Sequence, residues 1–178
     1  WAADRRVNEP CCTLAIKTSE QAGTLWLRAH HLQLMPAVVR EARRGSRIGL
    51  FLHPPFPPSQ LLMRLPWREA ITDGLLATDV IGFQTPTGAR NFLSLAHRMG
   101  RTEEVMPVDP VTEIIVEGRR VAIGSFPISV DVDRIDEMAR DPAAREAANA
   151  FRESLGSPKH LLLGVDRLDY TKGIDARL

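Results

Sequence analysis

The sequence predicts an α/β fold with a doubly wound parallel sheet, and three observations carry that reading. Short apolar runs alternate with stretches whose apolar residues recur at helical spacing, the pattern of successive strand–crossover units. Proline and glycine sit where helices should start and stop. Near the end, LLLGV at 161–165 is apolar without alternation, as befits a strand buried on both faces of a parallel sheet, and it breaks off at charge.

The first two dozen residues carry no clear assignment, with Pro10 among them and a polar stretch at 17–23. Residues 24–27 form a short strand, and Met35, Val38, Val39 and Ala42 mark a helix that ends at Arg43, Arg44 and Gly45, where cations suit a helix C-terminus. The next strand, 47–53, runs into HPPFPP, whose prolines at 54, 55, 57 and 58 forbid both helix and central strand. A helix over 67–77 and a strand over 79–83 follow. Thr85 then caps a helix with Pro86 at its first position, core stripe Ala89, Phe92, Leu93 and Ala96, and closure at Gly100. Three such units in succession imply a parallel sheet. Strands over 111–116 and 120–128, joined by a turn at Glu117-Gly118, break the pattern. Helices over 131–140 and 142–155 come next, the second with Asp141 as cap and Pro142 at its first position. A domain boundary near Val130 is expected, giving domains 1–130 and 131–178.

Twenty-three basic against twenty-two acidic side chains give a net charge of +1, which provides no field for nucleic acid or an anionic membrane. The two cysteines, Cys11 and Cys12, are neighbours; a bridge between them would be strained, so reduced thiols and a cytoplasmic setting are the simpler expectation. No apolar run is long enough to span a bilayer.

The chemistry concentrates beyond the 161–165 run. Arg167 and Lys172 follow its carboxyl end, where open α/β sheets bind ligands and a helix N-terminus attracts anions, so a phosphate or diphosphate is one reading. A cap by Asp169, an Asp166–Arg167 pair and a solvated Lys172 are the other, and spacing alone does not separate them. His53 stands at a strand's carboxyl end, facing the crevice by the same rule. Asp131-Val132-Asp133 has the D-x-D form of a metal-held diphosphate site, but acidic residues there are better explained as a helix start. His30 and His31 adjoin one another, diverge in a turn and have no visible third ligand, so no metal is expected.

Read as strings, VDRLDYTKG (165–173), RIGLFLHPPFPP (47–58), LPWRE (65–69), GLLATDVIGFQTP (74–86) and SFPISVDVDR (125–134) resemble the trehalose-6-phosphate synthase family of retaining glycosyltransferases. The resemblance covers most of the chain from Leu25 onward. It implies two doubly wound domains of the GT-B type: a partial acceptor-side domain over 1–130 and the opening elements of a nucleotide-sugar-binding domain over 131–178, so the chain is expected to be a fragment. It further implies transfer of glucose from UDP-glucose to glucose 6-phosphate, with retention, no metal and no other cofactor. Arg167 and Lys172 would neutralise the diphosphate, His53 would touch the donor glucose, and His31 would lie at the cleft. Small-molecule substrates are the expected partners, with a homo-oligomer left open.

One position departs from the family. Where its pattern reads Q-D-Y-H, this sequence has Arg28, Ala29, His30 and His31, so the aspartate that would bind the acceptor sugar is absent. A sister transferase with another phosphorylated acceptor such as glycerol 3-phosphate, or a non-catalytic nucleotide-binding homologue, is the alternative.

Overall fold

A computed structural model describes residues 2–19, 23–28, 30–108 and 111–177. The chain forms two compact units, Trp1–Ile128 and Ser129–Leu178. The first contains α1 (Ala2–Thr18), β1 (Thr24–Leu27), a single 3₁₀ turn (His30–Leu32), α2 (Met35–Ala42), β2 (Arg47–Leu52), α3 (Ser59–Leu62), α4 (Arg68–Leu76), β3 (Val80–Phe83), α5 (Pro86–Arg98) and the strands β4 (Glu104–Val108), β5 (Val111–Val116) and β6 (Arg119–Ser125). They build one six-stranded sheet in the order β1-β2-β3-β6-β5-β4. As the strand–helix alternation predicts, β1, β2 and β3 are parallel; β6 joins them parallel to β3, and β5 and β4 run antiparallel on the far side. The expected hairpin turn is present, with Glu117 and Gly118 both at positive φ, 50° and 71°, as a two-residue type I′ connection requires.

Three elements were not legible in sequence. Helix α1 runs straight through Pro10, which removes one intrahelical bond at a cost of about 3 kcal/mol in an isolated helix. Tertiary contacts offset this: Cys12 is buried, Ala15 and Ile16 pack on the core, and the Arg43 guanidinium donates to the carbonyls of Ile16 and Ser19 at the helix end. Burial also raises the Cys12 thiol above its ordinary pKa, which suits an inert core group. Strand β4 carries Pro107, tolerated because β4 is a sheet edge. The third element, α3, is a single turn after the proline loop.

Side-chain alternation divides the sheet into two faces. Leu27, Ile48, Leu50, Leu52, Ile81, Phe83, Val121 and Ile123 point into one core with Met35 and Val39 of α2, Leu75 and Leu76 of α4, and Phe92, Leu95 and Ala96 of α5. Of the expected α5 stripe, Ala89, Phe92 and Ala96 are buried while Leu93 is half-buried, and Thr85 caps the helix by accepting from the Gly88 amide at 3.2 Å. The opposite face carries Gly49 under the Trp26 ring and Gly82 under the rings of Phe51 and Phe126.

The second unit contains α6 (Val132–Arg140) and α7 (Pro142–Ser154). Asp131 caps α6 by accepting from the Arg134 amide, and Asp141 caps α7 by accepting from the Ala143 amide. The strand expected over 161–165 is not formed: these residues pair with no other strand, and Leu162 and Leu163 are 97% and 87% exposed. An apolar run becomes a buried strand only where neighbouring strands take its N–H and C=O groups, and no other strand exists among the described residues of this unit.

At the amino end of β3, Asp79 binds the first unit together. One carboxylate oxygen accepts from the Ile48 amide at 2.6 Å and from Arg40 Nη2 at 2.7 Å, while the Asp79 amide donates to the Ile48 carbonyl. Arg40 goes on to the carbonyls of Ala77 and Ser46, and Arg119 takes those of Leu76 and Thr78, so two guanidiniums satisfy the carboxyl end of α4. Asp79→Ala strands a largely buried Arg40 and a strand amide together. It is expected to cost about 2–3 kcal/mol, read as a lower urea midpoint at unchanged slope; an unchanged midpoint would reduce the pair to a surface contact.

Candidate functional site

Four parallel strands end on one edge, at Leu27, Leu52, Phe83 and Ser125, and the residues just beyond them form the candidate site of the first unit.

After β1 the chain makes the His30–Leu32 turn. His31 is exposed, with the His30 ring edge-on at 5.4 Å. The turn is held from two sides. Asn8 on α1 donates its amide to the His31 carbonyl at 2.7 Å, and the following residues lie directly on Gly74 of α4, where an added Cβ would stand 2.3 Å from the Gln33 carbonyl oxygen. Ala29, where the acceptor aspartate was expected, lies outside the described residues.

After β2, His53 is exposed and its ring rests 4.7 Å from that of buried Phe51. The proline loop behind it is bolted down. Phe56 is buried edge-on between Phe83 and Phe92, at 5.5 and 5.4 Å, and Asn91 of α5 donates to the Phe56 carbonyl. A loop that cannot donate through its prolines is thus fixed by one ring and one carbonyl, which leaves the exposed His53 at a defined point.

After β3 comes Gln84, which sequence reasoning overlooked. Its side-chain amide donates to the Ile128 carbonyl at 2.8 Å. The signal was available, since Gln84 follows a strand's carboxyl end as His53 does. Phe126 follows β6, its amide bonded to the Phe83 carbonyl.

In the second unit, Asp169 accepts from both the amide and the hydroxyl of Thr171 at 3.0 Å, starting a one-turn 3₁₀ helix, Tyr170–Lys172, that closes at Gly173 with φ 56°. These two bonds hold the Asp169 carboxyl below its ordinary pKa. Lys172 lies 3.9 Å from Asp166, and Arg167 is exposed. The cap expected of Asp169 is therefore found, and Lys172 forms a salt bridge with Asp166. Asp131 spends a carboxylate oxygen on the α6 cap. Among the described residues no three metal-ligating side chains cluster, and no helix is long and apolar enough to cross a membrane.

The profile of glycosyltransferase family 20 matches residues 1–178, the whole chain. The chain belongs to glycosyltransferase family 20. Within that family it is 45% identical over 182 residues to the trehalose-6-phosphate synthase of Mycolicibacterium vanbaalenii, with all of this chain and 37% of the relative covered. The chain thus spans little more than a third of the length of the curated relatives it matches. Two solved structures share its fold at a TM-score of 0.73. One is the UDP-forming α,α-trehalose-phosphate synthase of Burkholderia xenovorans in complex with glucose-6-phosphate, 30% identical over 96% of this chain and 38% of that one. The other is an E. coli trehalose-6-phosphate structure bound with UDP-2-fluoro glucose, 25% identical over 99% of this chain and 38% of that one. At that score the chain's α/β architecture is shared with both.

The His31 turn depends on its seat against α4. Gly74→Ala gains about 1 kcal/mol of helix propensity, yet its methyl would displace main chain at 33, so a net loss of about 1–3 kcal/mol is expected. A urea midpoint that rises would show that the turn does not rest on α4.

Proposed function

We propose that this chain forms part of a retaining glycosyltransferase that moves glucose from UDP-glucose to glucose 6-phosphate, yielding trehalose 6-phosphate and UDP. The observation that carries this reading is the family match along all 178 residues, joined by relatives named trehalose-6-phosphate synthase. The bound molecules of the two solved relatives, glucose-6-phosphate and a UDP-glucose analogue, supply the acceptor and donor classes.

The chemistry assigned to the residues follows from what each can offer. In the reaction the bond between the anomeric carbon and the UDP oxygen breaks, a bond from that carbon to the acceptor oxygen forms, and the acceptor proton leaves with the diphosphate. Negative charge grows on the diphosphate as its bond to the sugar stretches. Arg167 and Lys172 would meet that charge: Arg167 is exposed, and Lys172 sits 3.9 Å from Asp166 in an ion pair that solvent reaches and a phosphate could displace. His53, fixed by the bolted loop, would bind a hydroxyl of the donor glucose, and His31 would face the acceptor side. Residues 1–130 would then serve the acceptor and 131–178 begin the part that holds the nucleotide sugar. No side-chain nucleophile and no metal enter this scheme.

Ala29 favours a second reading, a sister enzyme with another phosphorylated acceptor, because the resembled family places a carboxylate there.

A chimera tests both readings: this segment replaces the matching stretch of the Mycolicibacterium vanbaalenii relative, and UDP release is followed with UDP-glucose and glucose 6-phosphate. Turnover is expected, and Arg167→Ala and Lys172→Ala should each weaken UDP binding by about 1.5–3 kcal/mol, measured by calorimetry. Unchanged affinity in both variants would remove them from the donor site. With glucose 6-phosphate as acceptor, Ala29→Asp should lower its KM by about ten-fold or more, the worth of a charged hydrogen bond; a KM that does not fall, with faster turnover of glycerol 3-phosphate, would select the sister enzyme.

A further inference from the structure

The segment that leaves β6 is fastened to the sheet at three places. The Phe126 amide donates to the Phe83 carbonyl at 2.9 Å, which extends the β3–β6 pairing one residue past the last strand residue. The Phe126 ring folds back over the face opposite the helices and lies on two glycines in adjacent strands. A Cβ at Gly82 would stand 3.1 Å from the ring, and one at Gly124 would stand 2.8 Å from it. Two residues on, the Ile128 carbonyl accepts from Gln84 Nε2 at 2.8 Å, across 44 positions of sequence. Pro127, between these points, has a fixed φ and no amide to lose. Beyond Ile128 the fastening stops. Ser129 and Val130 make no hydrogen bond to any other described residue, and Asp131 already belongs to the cap of α6. The division between the two compact units falls at the same place, between Ile128 and Ser129.

We propose that Gln84, the Phe126 ring and its bed of Gly82 and Gly124 form a clamp on residues 126–128, so that conformational freedom between the two units begins at Ser129 and not at the end of β6. The argument is one of anchoring. A strand end with only a backbone bond frays, whereas an added ring contact and a side-chain bond two residues later oppose fraying at successive positions. Gly82 and Gly124 then have a stated purpose, since any larger side chain at either would lift the ring from the sheet. Ser129 and Val130 are left as a two-residue hinge between a clamped strap and a capped helix. Gln84 is in this role a positioning residue. Its partner is the main chain of the connector, and it acts on the second unit only by fixing where the connector departs. The proposal is independent of which sugars are exchanged, and a protein with no turnover would still show the clamp.

Backbone ¹⁵N relaxation on the 178-residue chain tests it. In the unmodified chain, order parameters of about 0.85, typical of rigid backbone, should extend through Ile128 and drop at Ser129. Gln84→Met keeps the length of the side chain and removes the donor; the drop should move upstream, with Ile128 falling toward about 0.6. Exchange of the Phe126 amide should accelerate roughly two- to ten-fold, the worth of one net hydrogen bond. Gln84→Lys, which restores a donor on a chain of similar reach, should return Ile128 to the rigid set. Because Gln84 is half-exposed, these variants should fold, and unchanged relaxation at Ile123 in the centre of β6 verifies that they do. A drop that already lies at Phe126 in the unmodified chain, or one that stays at Ser129 in Gln84→Met, would overturn the proposal.

Discussion

The carboxylate of Asp79 is the constraint on which the first unit depends. A parallel sheet brings the amino ends of its strands to one edge, where the first amides of a strand and the last carbonyls of the preceding helix lack partners. Here one side chain resolves the problem for two strands and two helices. It accepts from the Ile48 amide in β2 and holds Arg40 of α2 across the carbonyls of Ala77 and Ser46. Arg119 enters the same cluster from the β5–β6 hairpin, where burial and the neighbouring Arg40 lower its pKa from the ordinary guanidinium value. The cations are spent on helix carbonyls, which fixes the depth of α2 and α4 against the sheet.

With the amino edge tied, the opposite edge is free to carry exposed chemistry. Its loops are short and anchored by apolar or amide groups behind the exposed side chain: Phe56 and Asn91 behind His53, Asn8 and Gly74 behind His31. This separation of anchor from exposed side chain lets an imidazole face solvent while its position is set by packing. The clamp on residues 126–128 belongs to the same edge and applies the same device to the main chain.

The second unit follows a different physical regime. Its helices are well capped, by Asp131 and Asp141, yet Ile135, Met138 and Phe151 are exposed, as are Leu162 and Leu163. Local signals, caps and turn residues are therefore sufficient to form α6, α7 and the Asp169-started turn, because their bonds close within a few residues. The 161–165 run has no such local solution. Its amides and carbonyls need partners from other strands, and its apolar side chains need helices over them.

How much was legible follows from that contrast. The sequence by itself determined the α/β class, the succession β1, α2, β2, α4, β3, α5, the Glu117-Gly118 turn and the caps at Thr85, Asp131 and Asp141, and it offered the Asp169 cap as one of two readings. Each of these rests on periodicity or on bonds that close within a few residues. It also placed His53, Arg167 and Lys172 beyond apolar runs by the rule that ligands gather past strand ends, while His31 came only from the family resemblance. Only the tertiary structure decided that α1 forms despite Pro10, that Asp166 faces Lys172, that 161–165 remains unpaired, and that Gln84 reaches Ile128. These depend on contacts between residues far apart in the chain or on partners that a strand cannot supply for itself, and periodicity along the sequence carries no record of either.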